Sequence, residues 1–310
     1  MKKQKAVLIG DTRYFHVGSY TNCTYLTKIL SEQYDFLGLF GDERFFFKDY
    51  GDFLEKIVTL KALWVSLYEA DIVFLHGEGY VEPNSPYAEA LYYVARYVKT
   101  NWPTKKIHLI NFSCFDAHYW DWSIFDALVV RDKGSFECLK SVHPHLTLGF
   151  DCSILQNEEL LDPTENKSIL IFRGRKDITA SEIELVKKTF PNKKVHVVSS
   201  FWPFSHDTPL QTQGVTDLQD LIKNAYLVIS SSFHGIIFST SFGVPFIPIE
   251  TKGTRKNTSV AADILGSYYG EKDLIEWLTF YQKSENYTSI QKMLKEDFKS
   301  LQKRSYNLLV

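Results

Sequence analysis

Short runs of apolar residues, each bounded by polar or turn residues, recur along the whole chain with helix-length segments between them. This alternation is typical of α/β proteins with parallel sheets. In the first half it predicts five strands, at residues 6–9, 35–39, 72–75, 107–110 and 127–130. Apolar spacing of the 3.6-residue type predicts helices over residues 21–32 and 86–99, the second preceded by Ser85 and opened by Pro86. The first half is therefore predicted to be a five-stranded, doubly wound unit.

The same alternation returns in the second half, after residues 156–167. That stretch is acidic, contains Pro and Asn, and has no apolar periodicity, which indicates a linker. Four further strands are predicted, at residues 168–172, 194–198, 227–230 and 245–249. Helices are predicted at residues 181–189, 218–224 and 235–241, followed by a helical tail from residue 272 to residue 309.

The pattern thus divides the chain into two α/β domains. Residues 1–155 form the first, residues 168–270 form the second, and residues 156–167 join them. Residues 271–310 are predicted to be closing helices, for which packing back on the first domain stays open. Ligands of such domains bind beyond the carboxyl ends of the parallel strands, so we expect the ligand in a cleft between the domains.

Charge and cysteine content narrow the function classes. The chain has 35 Lys and Arg against 37 Asp and Glu, a formal net charge of −2. A general nucleic-acid binder needs a basic surplus, so we expect no nucleic-acid partner. The four cysteines have no C-x-x-C spacing, which predicts neither a zinc site nor a disulfide framework. We expect no metal site.

Hydropathy predicts a cytoplasmic protein. The basic start of the chain leads into only four apolar residues, too few for the core of a signal peptide. No window approaches the length of a membrane-spanning apolar segment. Peripheral contact with the inner face of the membrane stays open.

A serine-rich turn carries the sharpest chemical signal. Residues 230–238 read Ser-Ser-Ser-Phe-His-Gly-Ile-Ile-Phe and join a predicted strand to a predicted helix. The N–H groups of the new helix and the hydroxyls of Ser231 and Ser232 can converge on an anion there, and Gly235 permits close approach. His234 can donate a proton to a reacting group or a hydrogen bond to a phosphate. The alternative is a capped helix start with a histidine buried in the core.

Residues 230–246 and 125–135 carry a family resemblance. The first segment is Ser-Ser-x-Phe-His-Gly, an apolar helix and then Phe-Gly-Val-Pro-Phe at its end. The second is a predicted strand that ends in Arg131 and Asp132 and is followed by a helix headed by Ser135. Together with weaker matches over residues 5–265, these segments resemble the polysaccharide pyruvyltransferase family. The resemblance implies two Rossmann-like domains in a GT-B-like arrangement, with the cleft between them and the donor on the side of the second domain.

The implied activity is transfer of a pyruvyl group from phosphoenolpyruvate to a sugar hydroxyl. It ends in a cyclic ketal on a precursor of a cell-surface polysaccharide such as a capsule or exopolysaccharide. Phosphoenolpyruvate carries a phosphate and a carboxylate, so positive groups must hold both, and a general acid must protonate its methylene carbon. His234 is the candidate acid. No cofactor is required, because the small-molecule donor is itself a substrate.

Three cationic side chains are candidates for holding the donor. Arg131 is the proposed anion clamp, with Arg255 and Lys256 of the predicted loop at residues 251–258 in support. The alternative for Arg131 is a structural ion pair with one of its acidic neighbours, Asp126 or Asp132.

The donor itself has an alternative. Ser232 stands where many members of the family carry an Arg. A GT-B glycosyltransferase that uses a nucleotide-activated sugar, for example a CMP-linked one, is therefore the second function. A carbohydrate-binding protein without catalysis is the third.

Two segments after strands of the first domain are candidates for binding the acceptor, a saccharide or a lipid-linked saccharide. The loop at residues 10–22 lacks G-x-G-x-x-G, so a dinucleotide cofactor is not expected. In it Asp11 offers a base, and His16 and Asn22 offer hydrogen bonds. Glu78, between two glycines, can activate a hydroxyl. The alternatives are a solvated loop and a surface turn.

The aromatic segment at residues 111–122 follows the fourth predicted strand. Sugar faces stack on aromatic rings, so Asn111 and Trp120 are candidates for binding the acceptor. The alternative is that these aromatic residues hold the segment on the core.

Overall fold

The computed structural model describes residues 3–11, 17–41, 53–78, 81, 85–156, 168–174, 178–199, 215–250, 256–270 and 272–306. The described chain is an α/β protein with two parallel sheets. Its central strands are continuous apolar runs, as in β3, where all five residues from Ile72 to His76 are buried. Strands of this kind are covered by helices on both faces.

The first sheet has six strands, in the order β2-β1-β3-β4-β5-β6. They are β1 (Lys5–Asp11), β2 (Asp35–Gly41), β3 (Ile72–His76), β4 (Lys106–Phe112), β5 (Ala127–Val130) and β6 (Leu146–Leu148). The helices of this half are α1 (Val17–Gln33), α2 (Phe53–Glu69), α3 (Pro86–Asn101) and α4 (Lys133–Leu139). The prediction of five strands was wrong by one, because β6 has only three residues and too short an apolar run to stand out.

The second sheet has four strands, in the order β10-β9-β7-β8. They are β7 (Ser168–Arg173), β8 (Lys194–Ser199), β9 (Ala225–Ser230) and β10 (Phe246–Pro248). The helices are α5 (Ala180–Thr189), α6 (Val215–Lys223), α7 (Phe233–Ser241), α8 (Lys256–Leu265), α9 (Leu274–Gln282) and α10 (Ser284–Tyr306). The loop predicted at residues 251–258 was wrong in its last part, because α8 begins at Lys256 and buries one face of its ten residues.

Local signals explain where several helices begin. The Ser85 side chain accepts a hydrogen bond from the N–H of Ala88, and Pro86 occupies the first turn of α3, as its sequence predicts. Asp132 caps α4 by accepting from the N–H of Ser135 at 2.9 Å. These caps anchor each helix directly after the strand or loop that precedes it.

The chain divides into two compact units. The first unit contains residues 1–13, 22–152 and 304–310, and the second contains residues 14–21 and 153–303. The beginning of α1 therefore belongs with the second unit. The predicted linker at residues 156–167 lies outside the described residues except for Gln156, which ends a 3-10 turn that begins at Cys152.

The closing helices belong mainly to the second unit, up to Lys303. Tyr281 of α9 is wholly buried, and its hydroxyl donates to the carbonyl of Phe246 in β10 at 3.0 Å. Only the end of α10 groups with the first unit, where the guanidinium of Arg304 donates to the carbonyl of Gly149 at 2.9 Å. None of the helices in the described part of the chain is both long and apolar enough to span a bilayer.

Candidate functional site

Each sheet has one point at which its strand order reverses direction. In the first sheet this point lies between β1 and β3, and in the second it lies between β7 and β9. Loops at the carboxyl ends of such strand pairs diverge to opposite faces and leave room for a ligand. The residues after β1, β3, β7 and β9 are therefore the first places to look for a site.

The serine turn, residues 230–232, ends β9 and leads into α7. All three serines are buried. The Ser230 hydroxyl donates to the carbonyl of Ser232 at 2.8 Å and accepts from the N–H of Ser232 at 3.1 Å. The Ser231 hydroxyl accepts from the N–H of Gly174, after β7, at 2.9 Å. Two of the hydroxyls thus help to shape the turn.

Ser232 is the cap residue of α7. Within the described residues its side chain makes no capping hydrogen bond to the helix. In the first turn of α7 the N–H of Gly235 already donates to the carbonyl of Ser232 at 3.1 Å. The first N–H groups of a helix lack an acceptor four residues back, but anion binding at the start of α7 stays a prediction.

Gly235 and Gly174 bring the backbone close to this turn. A Cβ atom added at Gly235 would lie 2.2 Å from Oγ of Ser230 and 2.5 Å from Cδ1 of Phe172. One added at Gly174 would lie 2.5 Å from the carbonyl oxygen of Ser231. The close approach at Gly235 that the structure shows is to β7 and β9, so this glycine sets how tightly α7 packs on the sheet.

His234 is the second residue of α7 and is 4% exposed. Its ring lies edge-on to Phe233, with 5.5 Å between the ring centroids. Gly18, at the beginning of α1, lies directly on the ring, because a Cβ atom there would be 2.0 Å from Cγ of His234. Both residues belong to the second unit. The imidazole thus packs against the beginning of α1 on one side and against Phe233 and Phe238 of its own helix.

A buried histidine also marks the carboxyl ends of β1 and β3. Nδ1 of His76 lies 3.2 Å from the carbonyl oxygen of Gly10, and Nε2 lies 3.1 Å from Nδ2 of Asn111. The carbonyl can only accept, so Nδ1 carries the proton and Nε2 accepts from the amide. Burial lowers the pKa of His76, while the negative charge of Glu78 raises it. The imidazole is neutral in this setting.

Asn111 is the partner of this histidine. It is wholly buried and is the only non-glycine residue with positive φ in the described part of the chain, at 55°. Its Oδ1 atom has no hydrogen-bond partner among the described residues. Strained backbone and an unsatisfied buried acceptor are both costly, and they concentrate at functional sites. The side chain of Asn111 is therefore a candidate to accept a hydrogen bond from a substrate hydroxyl.

His76 was missed as a site residue at the level of sequence. Its position at the end of an apolar strand was visible, but its partners come from other strands. Glu78, two residues further, is half-buried and close enough to affect the pKa of His76. The structure thus brings Glu78, His76 and Asn111 to one edge of the first sheet.

Arg131 follows β5 and is wholly buried. Its Nη1 atom lies 2.9 Å from Oδ2 of Asp151, which is also wholly buried, and its Nε donates to Oγ of Ser113 at 3.0 Å. The Asn22 amide donates to the same carboxylate at 3.4 Å. The structural ion pair is therefore present, with Asp151, a partner that the sequence analysis did not name.

Trp120 is 8% exposed and stacks on Tyr92, with 4.9 Å between the ring centroids. It also contacts Trp122, and both belong to the core of the first unit. Trp120 therefore holds the aromatic segment on the core, which was the alternative interpretation, and does not offer an open ring face to a sugar.

The remaining predicted site residues are described only in part. Lys256 is half-buried at the first position of α8. His16, Arg255 and the side chain of Asp11 lie outside the described residues. Over the described ranges, no group of three His, Cys, Asp or Glu side chains could hold a metal ion.

A family model described as Polysaccharide pyruvyl transferase matches residues 25–253. The matched range contains His234, the serine turn, Arg131, Glu78 and Asn111. A search of curated proteins finds no match.

Solved structures share the fold. UDP-GlcNAc 2-epimerase from Neisseria meningitidis bound to UDP-GlcNAc is 12% identical, with a TM-score of 0.61 over 98% of each chain. MnaA of S. aureus with UDP is 14% identical, with a TM-score of 0.60 over 100% of this chain and 98% of that one. CalG4, the calicheamicin glycosyltransferase, is 11% identical, with a TM-score of 0.54 over 98% and 95%. These similarities confirm the predicted fold class, two Rossmann-like domains of the GT-B type.

Proposed function

Because the chain belongs to the polysaccharide pyruvyl transferase family, we propose that it transfers a pyruvyl group from phosphoenolpyruvate to a saccharide hydroxyl. The observation that carries this proposal is His234 at the beginning of α7, held beneath Gly18 and directly after the serine turn. An acid close to an anion-binding helix start is the pair of elements that this chemistry needs.

The donor phosphate binds at the first turn of α7. The N–H groups there and the hydroxyl of Ser232 donate to its oxygens, and the helix dipole favours its charge. Lys256, at the beginning of α8 in the same unit, supplies a positive charge for the donor. Arg131 is left out of the donor site, because its guanidinium is neutralised by Asp151 in the interior of the first unit.

His234 acts as the general acid. It gives its proton to the methylene carbon of phosphoenolpyruvate while the first sugar oxygen bonds to the neighbouring carbon. A second sugar hydroxyl then displaces the phosphate from that carbon, which closes the ketal and releases inorganic phosphate. One hydroxyl proton is taken up by a base and returns the histidine to its acid form, and the other leaves with the phosphate.

The acceptor binds at the β1/β3 edge of the first unit. Glu78 is the proposed base for the attacking hydroxyl, with Asp11 as a second candidate. Oδ1 of Asn111 accepts a hydrogen bond from the sugar, and the neutral His76 holds the Asn111 amide in place through its Nε2 atom.

A nucleotide-activated sugar is the alternative donor. Two structures of the same fold were solved with UDP or UDP-GlcNAc, and Ser232 at the cap of α7 leaves the donor site without a guanidinium from that position. Both donors would place a phosphate group at the same helix start.

Ligand-induced stabilisation separates the two donors. Melting temperatures are measured with phosphoenolpyruvate, CMP or UDP, since a ligand that binds only the folded state raises the apparent stability. We expect a rise with phosphoenolpyruvate and none with either nucleotide. Stabilisation by a nucleotide alone would refute pyruvyl transfer.

Release of inorganic phosphate from phosphoenolpyruvate, in the presence of a panel of saccharides, tests the acid. His234→Ala should abolish release at a temperature at which its melt shows it to be folded, since the loss of a buried ring lowers stability. His118→Ala, at an exposed histidine of the first unit, is the matched control and should keep full activity. Full phosphate release by His234→Ala would rule out the proposed acid.

A further inference from the structure

An exposed aromatic surface lies on two neighbouring helices of the first unit. We call it the aromatic face and define it by Trp64 and Tyr68 of α2, Tyr93 and Tyr97 of α3, and Trp102, which follows α3. Four of its side chains are strongly exposed: Trp64 by 40%, Tyr68 by 70%, Tyr93 by 60% and Tyr97 by 44%. Large apolar side chains that cluster on a surface mark an interaction site.

The rings of this face form a continuous cluster. The centroids of Trp64 and Tyr97 are 4.7 Å apart, those of Tyr97 and Trp102 are 6.0 Å apart, and those of Tyr68 and Trp102 are 6.4 Å apart. Tyr93 lies one helical turn before Tyr97 on the same side of α3. The face thus spans both helices rather than consisting of single exposed residues.

Lys105 fixes the geometry of the cluster at one end. Its ammonium group lies 5.5 Å from the ring centroid of Trp102 and donates to the carbonyl oxygens of Tyr68 and Ala70, at 2.7 and 2.5 Å. These contacts hold the end of α2 against Trp102. The aromatic side chains are therefore ordered before any partner binds, which lowers the entropic cost of binding.

Two exposed basic side chains border the rings. Lys61 lies one turn before Trp64 on α2, and Arg96 lies one turn after Tyr93 on α3. Neither forms a salt bridge with any described residue. Glu69, at the end of α2, is already paired with Lys5 at 2.5 Å.

Glu89 is the acidic side chain on the same side of α3. It accepts a hydrogen bond from the hydroxyl of Tyr119 at 3.3 Å. Lys99 of α3 is paired with Asp126 at 2.8 Å and does not add to the free charge. Lys61 and Arg96 thus place two positive charges beside the rings, against the one carboxylate of Glu89.

We propose that the aromatic face docks on the surface of an anionic phospholipid bilayer. Trp and Tyr favour the interface between water and lipid, because one end of each ring is apolar and the other is polar. Lys and Arg beside them are attracted by anionic headgroups. Lysine is depleted in protein–protein interfaces, so a lipid surface fits this combination better than a partner protein. The proposal does not depend on which donor the enzyme uses.

Flotation of the full chain with lipid vesicles tests this docking. We expect the protein to float with vesicles that contain phosphatidylglycerol and to stay behind with vesicles of phosphatidylcholine alone. Trp64→Ser with Tyr97→Ser should lower the partition coefficient at least tenfold. The matched control is Ile275→Ser, at a side chain of α9 that is 59% exposed in the second unit, and it should float as the parent does.

The charges have a separate test. Lys61→Gln with Arg96→Gln removes two basic groups that each contribute about fivefold near an anionic surface. The partition coefficient onto anionic vesicles should fall about twenty-five-fold. Added salt should weaken the vesicle binding of the parent more than that of this variant. These exposed substitutions leave the core intact, and thermal melts check the fold.

Three outcomes would overturn the proposal. The first is that the parent protein stays wholly in the unfloated fraction with anionic vesicles. The second is that Trp64→Ser with Tyr97→Ser, folded as judged by its melt, floats as the parent does. The third is that sedimentation shows self-association of the chain through this face, dissociated by the same variant, without lipid binding, which would make the face a protein interface.

Discussion

Replacing Gly18 by alanine tests whether the position of His234 matters for catalysis. Gly18 is the second residue of α1, and its α-carbon lies against the imidazole. An added Cβ would be 2.0 Å from Cγ, 2.2 Å from Nδ1 and 2.3 Å from Cδ2 of His234, whereas ordinary contacts lie at 3.4–4 Å. The ring, α1 or both must therefore move apart by about 1 Å or more.

The effect on stability should be small. Overpacking a well-packed region costs about 1–3 kcal/mol. Alanine in place of glycine returns up to about 1 kcal/mol through its higher helix propensity. The free energy of unfolding should therefore fall by about 1 kcal/mol, which leaves the protein folded. The effect on catalysis should be much larger, because a misplacement of about 1 Å at a reacting group can cost about a hundredfold in rate.

The assay is the release of inorganic phosphate from phosphoenolpyruvate with saccharide acceptors, alongside a urea unfolding curve. Gly18→Ala should lose about a hundredfold in turnover with nearly unchanged stability. Gly270→Ala is the matched control, because an added Cβ there meets only the flexible end of Lys272. A folded Gly18→Ala protein with the turnover of the parent would refute the reasoning, since the ring would then not need its observed position.

Two further predictions concern stability. Asp151→Ala leaves the guanidinium of Arg131 buried without its carboxylate, so the free energy of unfolding should fall by about 3–5 kcal/mol. The control Glu184→Ala, at an exposed ion pair, should lower it by less than about 1 kcal/mol. Equal losses for the two variants in denaturant titrations would contradict this prediction. Burial lowers the pKa of His108 to about 4, and an unfolded histidine titrates near 6.5. Between these two pH values the unfolded state binds one more proton at His108 than the folded state does. The stability that this residue contributes is therefore fully present above about pH 6.5, and about 3 kcal/mol is lost as the pH falls towards 4. His108→Gln should flatten this part of the profile measured by urea unfolding, and an unchanged slope would count against the assignment.

Most of the fold follows from apolar runs that the sequence displays directly. Strands such as β3 and β9 are buried on both faces, so nearly every residue must be apolar and each run is obvious. The strand β6 was not predicted, because a three-residue strand at the edge of a sheet needs no long run of apolar residues. The helix α8 begins inside a polar segment, and its buried stripe begins only at Asn257.

The candidate site was predictable where it is local. The serine turn and His234 are neighbours in the sequence, so the turn from strand to helix places them together. His76 and Asn111 are 35 residues apart, and Arg131 and Asp151 are 20 apart. A single sequence does not show which buried carboxylate will form an ion pair with a buried arginine. The unsatisfied Oδ1 of Asn111 likewise becomes visible only when its surroundings are known.

The contact between Gly18 and His234 also bears on how the protein is made. The second unit takes one short segment, residues 14–21, from near the start of the chain, and takes the rest from residues 153–303. During synthesis more than about two hundred residues separate Gly18 from His234, so the first turn of α1 leaves the ribosome well before its histidine partner. Contacts between residues this distant in sequence form late in folding. A fragment that begins at Ser153 would carry all four strands of the second sheet and yet lack the residue that covers the proposed catalytic ring. Dissecting this enzyme into two halves would therefore leave its second half with an exposed imidazole, and adding back a peptide that contains Gly18 is how the missing surface would be restored.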